Sequence, residues 1–146
     1  MKRAGAFCVA GSAFLIVSLL FAQSSKTSTK KSAPQDYSFP IAASQVWTDT
    51  GLDLEAGDRI HIYGMVMACE GVTPSEKAHL PVPSAPGGAL LAKVHLEAAP
   101  ILASPDADLP ILDASHLYLG VNGWHCHGTI SAKVHVNWHK RPEEKH

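Results

Sequence analysis

The sequence predicts an all-β protein, a single antiparallel β-sandwich of the jelly-roll type preceded by a signal peptide and a flexible linker. Three observations predict it. Between about Phe39 and Trp138 apolar residues recur with a period of two, not 3.6. Turn-forming clusters punctuate these runs, and no segment sustains a helical period capped at both ends. With 146 residues, 46% of them hydrophobic, the chain can bury the core of one ordinary domain but is short for two.

The first segment, "MKRAGAFCVAGSAFLIVSLLFAQSS", places Lys2 and Arg3 before an apolar run that ends abruptly in Gln23, Ser24 and Ser25. This is the layout of a secretory signal peptide over residues 1–22, cleaved after Ala22. Left uncleaved, it would be the only part of the chain suited to a membrane. Residues 23–38 are rich in Ser, Thr and Lys with little to bury, and read as a flexible linker. The sandwich is expected over 39–138, and "HKRPEEKH" over 139–146 reads mainly as a charged tail.

Four stretches carry the strand pattern. In "RIHIYGMVM" Ile60, Ile62, Gly64 and Val66 oppose Arg59, His61, Tyr63, Met65 and Met67. "ALLAKVHL" sets Leu90, Ala92, Val94 and Leu96 against Lys93 and His95. "HLYLGV" sets Leu117, Leu119 and Val121 against His116 and Tyr118. "TISAKVHVNW" sets Ile130, Ala132, Val134, Val136 and Trp138 against Ser131, Lys133, His135 and Asn137. Such alternation marks half-buried strands. Turns fall at Thr50-Gly51, Ala56-Gly57-Asp58, "TPSEKAHLPVPSAPGG", "ASPDADLP" and Asn122-Gly123, which leaves room for seven or eight short strands.

Nine histidines invite a metal-protein reading. Four of them, His61, His95, His116 and His135, fall on the polar faces of expected strands, where a solvent-facing imidazole needs no ligand role. Two could meet across neighbouring strands and hold a metal ion, but strand order is not readable from the sequence. The segment "GWHCHG" differs, because Trp124, His125, Cys126 and His127 lie between Gly123 and Gly128 in a turn. Its ligand types suit a metal, although the spacing matches no established metal motif.

Charge narrows the partners. Without Lys2 and Arg3 the 12 basic residues become 10 against 13 acidic ones, a net charge of -3. Between Pro40 and Trp138 only Arg59, Lys77, Lys93 and Lys133 face ten carboxylates, which gives no footprint for nucleic acid. Catalytic templates fail as well. There is no G-x-S-x-G, no H-E-x-x-H and no phosphate-cradling loop. In "DASH" the residues from Asp113 to His116 are too close along the chain to form a triad, and Asp106 and Asp108 read as turn residues. A non-catalytic protein is expected.

"VWTDTGLDLEAGDRIHIYG", "PGGALLAKV" and "LYLGVN...GTISAKVHV" together resemble the LecA-type (PA-IL-like) galactophilic lectins and the similar galactose-binding-like sandwich modules of secreted bacterial proteins. The resemblance covers most of the window from Val46 to His135. It implies a jelly roll in which two loops at one end jointly hold calcium, which in turn binds a galactose. Here those loops are "CEGVTP" and "NGWHCHG". Glu70 stands where the family has a calcium-binding tyrosine carbonyl, Asn122 matches an Asn ligand, and Gly123 replaces the Asp ligand. With an amide, imidazoles and a sulfur in place of hard oxygens, the residues argue against a lectin-type calcium site.

The resemblance also implies that Cys69 lies near Cys126, with Glu70 near His125 and His127. Outside the cytoplasm two adjacent cysteines most simply form a disulfide. The alternative is a reduced site using His125, His127 and the sulfurs, with Glu70 beside them, for zinc or copper. Glu70, Asn122, Trp124, His125 and His127 are the candidate carbohydrate contacts, Trp124 as an apolar platform or else as a loop anchor. The expected function is that of an exported carbohydrate-binding module, periplasmic, in the cell envelope or extracellular. The alternatives are a protein-interaction sandwich of the envelope and an envelope metal-binding protein.

Overall fold

A computed structural model describes residues 33–70, 73–123 and 126–139. The expected signal peptide, most of the expected linker and the tail beyond residue 139 lie outside the described residues. Within them the chain forms β1 (Gln35–Ala42), β2 (Thr48–Leu54), β3 (Arg59–Tyr63), a one-turn helix α1 (Pro74–Lys77), β4 (Leu90–Lys93), β5 (Ile101–Leu102), β6 (Asp106–Pro110), β7 (Ser115–Val121) and β8 (Thr129–Asn137).

The strands make two antiparallel four-stranded sheets, with orders β1-β8-β3-β6 and β2-β7-β4-β5. β1 pairs with β8, β2 with β7, β3 with β6 and β4 with β5. The first half of the chain thus pairs with the second in reverse order, as if one long hairpin had been folded over into two layers. The period-two pattern sets the register. In the first sheet Ile60 sits opposite Val136 and Ile62 opposite Val134, and all four point into the core with Ile41, Leu54, Leu117 and Leu119 from both layers. Each such aliphatic side chain contributes about 1.5–3 kcal/mol by leaving water. A one-residue slip would turn that set to solvent, so the core fixes the pairing.

Four expectations need correction. The linker ends before residue 35, because Tyr37, Phe39 and Ile41 turn inward from β1 while Asp36, Ser38 and Pro40 turn out. Asp106 and Asp108 lie on a strand, not in a turn, and β6 pairs with β3 along its length. Lys93 is buried with Leu90, Leu91 and Ala92, and does not sit on a polar face. Its Nζ donates to the Leu96 carbonyl at 2.7 Å and lies 4.3 Å from the centre of the Trp47 ring, which compensates the charge. Finally, α1 is a turn of helix inside a segment read as loop. Its capping box was legible as Thr73-Pro74-Ser75-Glu76: the Thr73 hydroxyl accepts from the Glu76 N–H, and Glu76 accepts from the Thr73 N–H at 2.8 Å.

Candidate functional site

The chain leaving β3 and the loop between β7 and β8 meet at one end of the sandwich. Cys69 and Cys126 form a disulfide there, with Cα atoms 4.4 Å apart in an isolated antiparallel bridge. The loop leading into β4 completes this pole. The Met67 N–H donates to the Gly88 carbonyl, the Gly88 N–H to the Asn122 carbonyl, and the Asn122 N–H to the Ala89 carbonyl, each at 2.9 Å. Close approach explains two glycines. At Gly88, whose φ is +82°, a Cβ would lie 2.1 Å from the Met67 carbonyl oxygen and 2.7 Å from the Cys69 sulfur. At Gly123 it would lie 2.9 Å from the Cys126 sulfur. Only glycine fits against the bridge at these points.

Asn122 organises the pole from within. It is fully buried, and its amide nitrogen donates to the carbonyls of Val82 at 3.0 Å, Ala85 at 3.3 Å and Pro86 at 3.0 Å. Its side-chain oxygen accepts the Val82 N–H at 3.0 Å. The residue expected to face a ligand therefore has its amide committed to the loop over residues 82–86. Glu70 and His127 are exposed, each next to a bridged cysteine. Since consecutive Cα atoms are about 3.8 Å apart, their backbones are separated by no more than about 12 Å. Trp124 and His125 lie outside the described residues. The bridge engages both sulfurs, so the reduced cysteine and histidine metal set is not the arrangement present. Among the described residues no three His, Cys, Asp or Glu side chains are grouped to hold a metal ion, and no helix is long and apolar enough to cross a membrane.

His61, His116 and His135 lie on strands and face outward, held there by carboxylates of neighbouring strands, whereas His95 lies past the end of β4. On the outer face of the first sheet the register aligns Asp36 of β1, His135 of β8, His61 of β3 and Asp108 of β6 in one row across four strands. His135 Nδ1 bonds Asp36 at 2.7 Å, and His61 Nδ1 bonds Asp108. His61 Nε2 is buried with no hydrogen-bond partner, 3.5 Å from a carboxylate oxygen of Asp106.

The outer face of the second sheet treats its histidine differently. His116 bonds Asp53 through Nδ1 at 2.6 Å and Asp49 through Nε2. Four residues of regular strand span about 13 Å, too far for both carboxylates to reach one ring. The register of β2 shifts between Asp49 and Asp53, around Gly51 at φ +72°, and this irregularity gathers them. A neutral imidazole has one N–H and can donate to only one of two carboxylates, so this arrangement favours the imidazolium. The hydrogen bond to Asp49, then that to Asp53, raises the His116 pKa above its ordinary 6.5 against the opposing effect of partial burial. The same bond, helped by the Gly51 N–H, lowers Asp49 below its ordinary 3.8.

Sequence reasoning placed these histidines on polar faces but missed their partners, since a cross-strand pair is defined by register. The one available signal was compositional: aspartates at alternating positions in "DADLP" and near "TDTGLDL". In comparisons with known proteins, no family model, curated protein or solved structure matches the chain.

Proposed function

We propose that the chain is a non-catalytic, exported carbohydrate-binding module, lectin-like in kind, built on a jelly roll and lacking a lectin-type calcium site. The observation that carries this reading is the Cys69 to Cys126 bond. It ties together the two segments between which the resembling lectins hold their sugar, so a covalent link takes over the joining role of calcium. The reversed pairing of β1–β4 with β8–β5 supports the jelly-roll assignment. Export is supported by the signal-like N-terminus together with a disulfide, which persists in oxidising compartments.

In this reading Glu70 and His127 hydrogen-bond sugar hydroxyls, Trp124 and His125 add contacts from the same loop, and Asn122 holds the floor without touching ligand. Glycan-array screening followed by calorimetry, with calcium and with a chelator, tests it. Saccharide binding that the chelator leaves intact, and that Glu70→Gln weakens about tenfold, is expected, since a hydrogen bond to a charged group is worth about 1.5–3 kcal/mol. Binding to no glycan at all would overturn it. The runner-up, a protein-interaction sandwich of the cell envelope, is supported by Tyr63, Met65 and Val66, which stand exposed just ahead of the same pole. A zinc or copper site in this loop would have to rest on Glu70, His125 and His127 without the sulfurs.

A further inference from the structure

We infer that the Asn122-Gly123 peptide is a latent deamidation site, sealed by the Cys69 to Cys126 bridge, which reacts with solvent water once the pole opens and thereafter keeps it from closing. The inference does not depend on any sugar reading of the pole. The sequence contains two asparagines, and reactivity and exposure fall on different ones. Deamidation begins when the backbone nitrogen of the following residue attacks the side-chain amide carbon, so a following side chain hinders it and glycine does not. Asn137 is exposed but precedes Trp138, whose indole crowds that approach. Asn122 precedes Gly123, the least hindering neighbour, and is fully buried.

The closed pole restrains both reacting groups. The Gly123 N–H donates to the Val121 carbonyl at 3.0 Å, which ties up the nucleophile. The amide carbon cannot swing to meet it, because the carbonyls of Val82, Ala85 and Pro86 hold the side-chain nitrogen and the Val82 N–H holds the oxygen. The main chain is fixed as well, with the Asn122 N–H on Ala89 and its carbonyl accepting from Gly88. The bridge lies directly on this turn, since a Cβ on Gly123 would meet the Cys126 sulfur at 2.9 Å. Breaking it frees the segment that carries Gly123. It also loosens the strand end at Met67 and Cys69 that pairs with Gly88.

In the open pole the Gly123 nitrogen bonds the Asn122 amide carbon, and the side-chain nitrogen takes up the displaced proton and leaves as ammonia. Water then adds to either carbonyl of the cyclic imide and breaks its bond to the ring nitrogen, giving an aspartyl or an isoaspartyl linkage. One water is consumed and one ammonia released, with no oxidant or reductant. Neither product fits the closed pole. A carboxylate only accepts, and it would face three carbonyl oxygens and a single N–H at a position with 0% exposure. The isoaspartyl form adds a methylene to the main chain between β7 and Cys126 and displaces the bridging sulfur. A reversible opening, such as reduction of the bridge, is thereby made permanent.

The test is ageing of the full chain in mildly alkaline buffer with the bridge formed, with it reduced, and unfolded in urea, with peptide mass spectrometry reading amide-to-acid conversion at residues 122 and 137. The urea sample sets the unhindered rate. The reduced chain should convert residue 122 at least about tenfold faster than the bridged chain, since loss of the bridge raises the open population by more than that factor. Residue 137 should convert slowly in all three. In the reduced chain, conversion at 122 should keep pace with amide exchange over residues 82–89 and outrun exchange in β3 and β8. The bridged Asn122→Asp chain should lose exchange protection over residues 82–89. Because the ageing samples are of the unmodified chain, they decide the matter should Asn122→Asp fail to fold. Equal conversion in bridged and reduced chains, conversion that waits on the core strands, or a folded Asn122→Asp chain with full protection over 82–89 would each overturn the inference.

Discussion

The clasped pole and the outer sheet faces are both rich in polar groups, and they hold those groups by opposite means. At the pole a disulfide, three backbone hydrogen bonds and a fully buried Asn122 join three segments far apart in sequence. On the faces, half-exposed histidines meet exposed aspartates across strands, in contact with water. Pole interactions are covalent or between uncharged groups, so their contribution should ignore pH and salt and depend on redox state. The His116 pairs on the second sheet's outer face are partly exposed and titrate, so their contribution should be small and should respond to both. The difference separates what holds the fold from what remains adjustable on its surface.

The largest effect should come from the bridge. It joins residues 57 positions apart in sequence, for which chain entropy gives about 4 kcal/mol, and loss of a native disulfide from a small domain typically costs about 2–5 kcal/mol. Urea unfolding of the Cys69→Ala, Cys126→Ala double variant should show a loss in that range, equal at pH 5.5 and pH 8.5. An unchanged midpoint would break the comparison at its stronger end. Asn122→Ala comes next. It leaves the carbonyls of Val82, Ala85 and Pro86 without their donor and should destabilise by about 1–3 kcal/mol, with amide exchange accelerated through residues 82–89 before the core strands open. If the loop kept its protection, Asn122 would not be the floor of the pole.

The sequence and the structure agree most where a local period decides. Ile60, Ile62, Val134 and Val136 were readable as core because burial on one face leaves a period of two in the residues themselves. Lys93 broke the pattern because its charge is compensated by Trp47 and Leu96, neither of which is marked in the alternation. β1 escaped because Pro40 and the polar Asp36 and Ser38 disguise inward-facing Tyr37, Phe39 and Ile41. At the pole, the pairing of Cys69 with Cys126 followed from the family resemblance, whereas the role of Asn122 depends on a loop some forty residues earlier in the chain. The aspartate partners of His61, His116 and His135 were hidden for the same reason: register is a property of the fold and leaves no mark in either strand alone.

His116 should give a smaller effect whose pH dependence runs in a definite direction. Its folded pKa lies above 6.5, so its stabilisation is fully present below pH 6.5 and is lost as pH rises through the folded value. Asp49 is lowered below 3.8, so its share is fully present above pH 3.8 and is lost as pH falls through the folded value. Both operate together between about pH 4 and 6.5. The melting temperature of His116→Gln should therefore fall furthest below that of the unmodified chain at pH 5.5 and approach it by pH 8.5. A difference independent of pH would show that the ring packs against Tyr118 and does little more.

Salt should produce the smallest change and sharpen the contrast between regions. Raising the ionic strength from 0.01 to 1 M shortens the screening length from about 30 Å to about 3 Å. The exposed carboxylates of Asp49 and Asp53 lie within reach of that screening, so the His116→Gln difference at pH 5.5 should shrink as salt is added. The deficit of the double-cysteine variant should stay constant over the same range, since no charge separates it from the unmodified chain. If instead both deficits shrank together, the pole and the second sheet's outer face would be electrostatically coupled through β7, which carries His116 at one end and leads into Asn122 at the other.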